Sequence, residues 1–178
     1  YFETTLESFQ NGDFALARDR FYEIIDKKAN SRWAKLSGFW LGLSRTQLGE
    51  FKAAVDDLQG WLQTDSEQVP GLRSAAYLTL TWLTARRGDC AESQVWLGRL
   101  RNVAKASREY LREGTRIELY CASQTKPAQV PTIFTQLLQD PGNALNLVRF
   151  VAEEASFHYE RVNCNPVLRL REEYFEKY

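Results

Sequence analysis

The only histidine of the chain, His158, is the natural place to look for catalytic chemistry. Glu154 lies four residues before it, so a helix would bring both side chains to one face, where they could act as an acid–base pair or join a metal site. No second histidine completes a ligand set, and an ordinary surface contact is the simpler interpretation. The GxSxG, HExxH, P-loop and GxGxxG motifs are also absent from the sequence. We therefore expect a protein that is not an enzyme, with no metal and no cofactor.

Adjacent carboxylates occur at three places in the chain. Neighbouring residues of a helix project in different directions, so such pairs are poorly suited to joint acid–base work. We interpret them as solvated helix faces. The pairs are Asp56-Asp57, Glu153-Glu154 and Glu172-Glu173.

A row of basic residues recurs at helical spacing in the middle of the chain. Its members are Arg101, Lys105, Arg108, Arg112 and Arg116. On one unbroken helix they would form a stripe able to meet an acidic partner or a phosphate. A turn is predicted near Ala106-Ser107, and Glu109 and Glu113 interleave with the row, so a solvated charged face is the favoured interpretation.

Composition restricts the class of partner. The 178 residues are 44% hydrophobic and 26% charged, with 23 basic and 23 acidic side chains, so no net field favours nucleic acid. No run approaches the roughly 20 apolar residues of a membrane-spanning helix, so we expect a chain that is not membrane-embedded. Because it opens on Tyr1 and contains no Met, we expect a processed or trimmed form whose leader, if it had one, has been removed together with any lipid anchor.

Three polar turns share the order Gly, acid, hydrophobic residue. They are Asn11-Gly12-Asp13-Phe14, Leu48-Gly49-Glu50-Phe51 and Arg87-Gly88-Asp89-Cys90, with glycine spacings of 37 and 39 residues. Glycine suits the left-handed conformation that closes a helix, and the acid then lies near the positive N-terminus of the next one. A fourth turn, Thr125-Lys126-Pro127-Ala128, has proline near the start of a helix. Such a period indicates a repeat protein.

Between the turns, apolar residues recur every three or four positions, which indicates helices, and no strand pattern is found. The predicted helices are 3–11, 14–28, 31–48, 51–64, 69–87, 90–104, 107–123, 128–139, 143–161 and 166–177. These are about ten helices in antiparallel pairs, and each pair needs its neighbour to cover an apolar face. The prediction is one all-α solenoid domain over 1–178, with repeats near 1–30, 31–66, 67–105 and 106–141 and capping helices at 142–178.

The cysteines follow from this arrangement. In stacked antiparallel pairs, Cys90, Cys121 and Cys164 all fall at the same end of the stack, and an odd number permits at most one bridge within the chain. Either a Cys90–Cys121 or a Cys121–Cys164 disulfide suits an oxidising compartment. Three buried thiols are equally consistent with a reducing one.

Residues 31–66 resemble a tetratricopeptide repeat (TPR). Leu41-Gly42 match the Leu-Gly of that motif, Gly49 and Phe51 match its turn, and Ala54 and Leu58 match the small and apolar positions of its second helix. The resemblance covers about 1–104 well, 105–140 weakly, and nothing beyond. It departs at Asn30 and Ser66, which replace the usual closing proline. It implies a right-handed α-solenoid, and its rhythm over the first two repeats is similar to periplasmic TPR lipoproteins of Gram-negative bacteria, of the BamD and Tol–Pal coordinator type.

The resemblance implies that the first helix of each pair lines an inner groove. The matching positions are Leu36, Phe39, Leu43, Gln47, Leu78, Trp82, Arg86, Arg116, Tyr120 and Gln124. Aromatic and arginine side chains concentrate binding energy at protein interfaces, so these positions suit a partner peptide. The alternative is that several of the rings pack between helices. The Lys and Asn of the carboxylate clamp in cytosolic chaperone-binding TPR proteins are absent here, which argues against that subclass.

We therefore expect a non-catalytic protein–protein interaction scaffold in bacterial envelope assembly or maintenance. Its expected location is the periplasm or the inner face of the outer membrane, with the cytoplasm as the alternative. Two other functions stay open. One is a TPR regulatory module of a larger cell-wall enzyme or penicillin-binding-protein activator. The other is a small-ligand-binding helical protein with a closed apolar pocket around Trp82 and Tyr120.

Overall fold

Eight α-helices and no strand make up the part of the chain described by this computed structural model, which is residues 1–64, 69–103 and 106–139. The helices are α1 (Phe2–Gln10), α2 (Phe14–Lys27), α3 (Arg32–Gln47), α4 (Phe51–Leu62), α5 (Pro70–Arg86), α6 (Cys90–Arg101), α7 (Arg108–Thr125) and α8 (Val130–Gln139). The predicted all-α class is thus confirmed. The last two predicted helices, 143–161 and 166–177, lie outside the described residues, so the number of ten stays a prediction.

Three of the turns have the same backbone geometry. The φ angles are 86° at Gly12, 78° at Gly49 and 82° at Gly88, in the left-handed region that glycine enters without a steric penalty. In each turn the residue after glycine donates its backbone N–H to a carbonyl five residues earlier, which is the Schellman closure of a helix. These bonds are Asp13 to Ser8 (2.9 Å), Glu50 to Arg45 (2.9 Å) and Asp89 to Thr84 (3.0 Å). The predicted left-handed glycine turns are confirmed.

The fourth turn is built differently. The backbone N–H of Lys126 donates to the Ala122 carbonyl at 2.8 Å, and a short 3₁₀ turn, Pro127–Gln129, then leads into α8. Proline has a fixed φ and no backbone N–H, so it can begin a helical segment but cannot supply the left-handed closure that glycine supplies. The proline prediction for this turn is therefore correct.

Helix packing follows the order of the chain. Each helix from α1 to α8 packs on the one that follows it, and α1, α3, α5 and α7 also contact one another in succession. Consequently α3, α5 and α7 adjoin one another, and side chains at matching positions on them can serve one surface. None of the described helices combines the length and the apolar character that crossing a membrane requires.

The main core fills the space between α3, α4, α5 and α6. Its buried members are Phe39, Ala54, Val55, Leu58, Trp61, Ala76, Tyr77, Leu80, Leu83, Trp96, Leu97 and Leu100. A smaller cluster of Ala17, Phe21, Ile24 and Leu41 joins α2 to α3. These residues recur at three- and four-residue spacing, as expected for the core-facing sides of packed helices.

Close approach of α3 and α4 depends on Gly42. A Cβ atom there would lie 2.6 Å from Leu58 Cγ, and a Cβ at Gly38 would lie 3.2 Å from Trp61 Cδ1. A van der Waals contact needs more room than 2.6 Å, so a larger residue at Gly42 would push the two helices apart. Both glycines therefore lie where α3 packs closely on α4. Gly114 of α7 has the same role against α6, where its Cβ would lie 2.5 Å from Leu97 Cδ1.

Candidate functional site

Phe39 does not lie on an accessible surface. It is only 1% exposed, and its ring centroid lies 5.2 Å from that of Trp40 and 5.2 Å from that of Trp61. These rings hold it between α3 and α4, so the expectation that Phe39 meets a partner is corrected. Leu43 and Leu78 are half-buried and pack against the same core, and Leu36 is also half-buried. For this part of the proposed groove, packing between helices is the better interpretation.

Arg116 is accessible only in part, and its own helix neutralises it. Its guanidinium donates to both carboxylate oxygens of Glu113, three residues earlier, at 2.7 and 2.9 Å. Arg101 likewise pairs with Glu118 at 2.6 Å. Ser107 begins α7 by accepting the backbone N–H of Tyr110, so the predicted turn is present and the basic row is divided between two helices. Lys105 lies outside the described residues.

The remaining groove positions face solvent. Gln47, Arg86 and Gln124 are exposed, and the rings of Trp82 and Tyr120 are 36% and 38% exposed. Large aromatic rings left accessible on adjoining helices are candidates for binding, since burying them against a partner releases their hydration water. The accessible part of the predicted surface is therefore carried by the ends of α3, α5 and α7.

Trp82 and Arg86 belong to a three-residue cluster, which we name the aromatic–arginine platform and define as Phe51, Trp82 and Arg86. The Phe51 and Trp82 rings meet edge to face, with centroids 5.8 Å apart and an angle of 84° between the planes. The Arg86 guanidinium carbon lies 5.1 Å from the Trp82 centroid and 5.4 Å from the Phe51 centroid. Cation–π attraction to both rings therefore restricts the position of the charge.

Local structure accounts for this cluster. Trp82 and Arg86 are four residues apart on α5, so they share one face of the helix. Phe51 is the first residue of α4, placed there by the Gly49 turn. Its participation was not predicted, because the repeat pattern assigns the aromatic of this turn to the scaffold. The sequence offered no signal for it, because Phe51 reaches Trp82 through the packing of α4 on α5, and residue spacing does not reveal that packing.

Arg86 has no carboxylate partner among the residues that the structure describes. Other arginines nearby do have one: Arg87 pairs with Glu92 at 3.0 Å, and Arg18 pairs with both Asp19 and Glu50. An arginine guanidinium carries five N–H donors in a rigid fork that matches the geometry of a carboxylate. Among the described residues, the platform thus holds an exposed and positioned guanidinium with no acidic partner, and its donor geometry matches that of a carboxylate.

The expectation that Asp56-Asp57 form a solvated helix face is correct for Asp56 and wrong for Asp57. Asp56 is exposed as predicted, whereas the side chain of Asp57 is 20% exposed and lies 2.9 Å from Arg45. Burial raises the pKa of Asp57 above its usual value of 3.8, and the neighbouring Arg45 charge opposes the rise. This pair is a partly buried structural contact between α3 and α4. The other two predicted pairs, at 153–154 and 172–173, lie outside the described residues, as do Glu154 and His158.

Cys90 and Cys121 form a disulfide, one of the two bridges that the sequence left open. Their Cα atoms are 5.4 Å apart, Cys90 begins α6, and Cys121 lies in the last turns of α7. Both are buried against Ala85 and Ile117. The bridge ties α7 to the turn between α5 and α6. Cys164 lies outside the described residues.

An open cavity of about 380 Å³ lies where α1, the end of α2 and the start of α3 meet. Its apolar wall is formed by Tyr1, Phe2, Ile24 and Trp33, and we name it the α1–α3 cavity. Charged side chains complete the lining, namely Glu3, Glu23, Lys27 and Lys28. This cavity was not predicted, because its residues come from three helices and none belongs to the groove positions of the repeat.

Comparison of the chain with protein-family models, with curated proteins and with solved structures finds no match. Within the described ranges there is also no group of three or more His, Cys, Asp and Glu side chains that could hold a metal ion. The platform, the disulfide and the cavity are thus the features on which a functional proposal can rest.

Proposed function

We propose that the chain is a non-catalytic protein-binding scaffold of the tetratricopeptide type, a right-handed solenoid of antiparallel helix pairs. Two features support this architecture. The same glycine closure occurs at Gly12, Gly49 and Gly88, with spacings of 37 and 39 residues. In addition, α1, α3, α5 and α7 contact one another in order while each also packs on the next helix, an arrangement typical of stacked helix pairs.

The aromatic–arginine platform is the proposed binding site. The observation that carries the proposal is that Arg86 lies against two rings, exposed and without a described carboxylate partner. Its charge is held in position before binding, so less side-chain entropy is lost when a ligand docks. A carboxylate would receive charge-assisted hydrogen bonds from Arg86 while an adjoining apolar group covered the Trp82 ring. We infer that the partner is a protein segment with an acidic residue beside an apolar one.

The proposed setting is the bacterial cell envelope, in the periplasm or at the inner face of the outer membrane. The Cys90–Cys121 bridge supports an oxidising compartment, since cytosolic thiols are kept reduced. A cytoplasmic protein of this sequence would carry the two cysteines as thiols. Mass spectrometry of alkylated protein isolated from its native cells distinguishes the two.

The binding proposal is tested by displaying a random peptide library to the immobilised chain. We expect enriched peptides to share an Asp or Glu next to an apolar residue, and we expect Arg86→Glu to abolish the enrichment because it places two like charges together. The matched control is Arg99→Glu. Arg99 is also exposed and lies 4.5 Å from the Trp96 centroid, but Trp96 is itself buried.

Equal enrichment by the wild type and by Arg86→Glu would refute the platform as the binding site. Loss of enrichment in both arginine variants would point to a general effect of charge. Envelope extract passed over the same three proteins extends the test to natural partners, of which only those lost with Arg86→Glu and kept with Arg99→Glu count in favour.

A further inference from the structure

The α1–α3 cavity has a floor that packs against the core and a mouth that is open to solvent. Phe2 packs against the core ring of Phe21, with centroids 5.8 Å apart, and Ile24 is 5% exposed. Trp33 and Tyr1 stand at the mouth and are 43% and 66% exposed. The volume of about 380 Å³ is within the range of small-ligand pockets, about 300–1,000 Å³. The cavity therefore combines a rigid apolar floor with two accessible rings.

Contacts within the cavity hold the rings of Phe2, Trp33 and Tyr1 in position. The Phe2 and Trp33 centroids are 4.9 Å apart, with 34° between the planes. The Tyr1 hydroxyl donates to one oxygen of Glu23, and the Lys27 ammonium donates to the other. Hydrogen bonds from Lys27 and Tyr1 lower the pKa of Glu23, so this carboxylate stays ionised and holds both donors. An aromatic ligand would meet rings that need little rearrangement.

Some of the charged side chains around the cavity are paired with each other, and others have no described partner. Glu23 and Lys27 neutralise each other, whereas Lys28 lines the cavity without a carboxylate partner among the described residues. Arg32 also has no such partner, and its guanidinium carbon lies 5.9 Å from the Trp33 centroid. Glu3 is the acidic residue of the lining that has no described cation partner. The lining itself carries two acids and two bases, and Arg32 adds a cation beside Trp33 at the mouth. Among the described residues, Lys28 and Arg32 lack an acidic partner, so the mouth on this side favours a ligand with a negative charge.

We propose that the α1–α3 cavity binds an aryl carboxylate, either as a free small molecule or as the C-terminal aromatic residue of a peptide. The ring packs against Trp33 and Phe2, where aromatic contacts add to the burial of apolar surface. The carboxylate pairs with Lys28 and Arg32. This site lies on α1 to α3 and is separate from the aromatic–arginine platform on α4 and α5, so it does not depend on the function proposed above.

The test is a titration of the 178-residue chain with 3-phenylpropionate and with its neutral amide, followed by NMR of the tryptophan indole N–H groups. Trp33→Phe identifies the Trp33 signal. We expect saturable movement of that signal with the acid, and binding of the amide weaker by about tenfold, because the charge-assisted contact is lost. Lys28→Glu weakens binding of the acid by a similar factor. Circular dichroism verifies that both variants remain folded.

Lys52→Glu is the matched control. Lys52 is an exposed lysine on α4 that, like Lys28, has no carboxylate partner in the described ranges. We expect this variant to bind the acid as the wild type does. Equal affinity for acid and amide, equal losses in the two lysine variants, or no movement of the Trp33 signal would each overturn the proposal.

A second titration separates the two sources of the ligand. The probes are the tripeptide Gly-Gly-Phe with a free carboxylate and the same peptide with an amidated end. Movement of the Trp33 signal with the free-acid peptide alone assigns the cavity to a peptide terminus. Binding of 3-phenylpropionate without binding of either peptide assigns it to a free acid.

Discussion

The surfaces of α5 and α7 each carry an arginine four residues from an exposed aromatic ring, yet only the arginine of α5 has no carboxylate beside it. Arg86 lies against Trp82 and Phe51 without a described acidic partner, whereas Arg116 donates twice to Glu113 of its own helix. Trp82 and Tyr120 are almost equally exposed, at 36% and 38%. An acid three residues away removes most of the free charge before any partner arrives. The neighbours of an arginine therefore decide whether it is a receptor or a surface ion pair.

The largest expected effect concerns the bridge that holds α7 to α6. Replacing both Cys90 and Cys121 by Ser should lower the free energy of unfolding by about 3–4 kcal/mol, because the unfolded chain is no longer constrained across a closed loop. Urea unfolding followed by circular dichroism measures this loss. A reductant is the control: it should lower the midpoint of the wild type and leave that of the double variant unchanged.

The same double variant tests whether binding depends on the link between α7 and the rest of the fold. Under conditions where it is still folded, it should bind an acidic peptide selected on the wild type with the wild-type affinity. A large loss of affinity in a folded sample would show that the site depends on the link between α7 and the turn that follows α5.

Charge reversal compares the two arginines directly. We expect Arg86→Glu to weaken binding of the selected peptide by about 2 kcal/mol or more, roughly 30-fold, as for other desolvated arginines at interfaces. Arg116→Glu should change the affinity by less than about 1 kcal/mol, since it removes a partly exposed ion pair. Isothermal titration calorimetry of both variants decides the matter, and equal losses would abolish the distinction between the two surfaces.

Replacing the exposed rings, Trp82 on α5 and Tyr120 on α7, should change the binding free energy less than charge reversal does. Trp82→Leu keeps an apolar side chain but removes the indole beneath Arg86, and we expect it to cost about 0.5–1 kcal/mol of binding free energy. Tyr120→Leu is the matched change on α7 and should have no measurable effect on binding of the same peptide. Fluorescence anisotropy of a labelled peptide measures both. A stronger effect at Tyr120 would move the site towards α7.

The smallest expected effect is a change of stability with pH at the ion pair of Arg45 on α3 with Asp57 on α4. The folded chain binds a proton on Asp57 more tightly than the unfolded chain does, because burial raises the pKa of Asp57 above 3.8. The stability of the wild type relative to Asp57→Asn should therefore rise as pH falls through the folded-state pKa, and level off below the unfolded value. Thermal melts of both proteins between pH 7 and about pH 4 test the sign. A fall in relative stability on acidification would mean that attraction to Arg45 outweighs burial.

Much of the fold was predictable because its signals are local. Helix positions followed from apolar spacing, and the described helices agree with the predicted ranges to within a few residues. The turns at Gly12, Gly49 and Gly88 followed from the need for a left-handed residue after a helix. Leu41-Gly42 matched the Leu-Gly of the repeat motif, and Gly42 lies where α3 packs closely on Leu58 of α4.

The candidate site was predictable only in part. Of the predicted groove positions, Trp82 and Arg86 are exposed, whereas Phe39 is buried, since the two rings that bury it come from α3 and α4 together. The bond from Arg116 to Glu113 agrees with the interleaving of Glu113 in the basic row, although Arg116 was also assigned to the binding groove. The two residues are three apart on one helix, and this spacing was available in the sequence as a sign of mutual neutralisation.

By itself the sequence determined the helices, the glycine turns that join them and the chemistry available on each exposed face, because these depend on residues within about one or two turns of each other. The tertiary structure decided which of those faces remain open. Phe51 joins Trp82 and Arg86 through the packing of α4 on α5, Cys90 joins Cys121 across 31 residues, and Phe2 joins Trp33 across α2. Such contacts depend on the relative placement of whole helices, which no local pattern specifies.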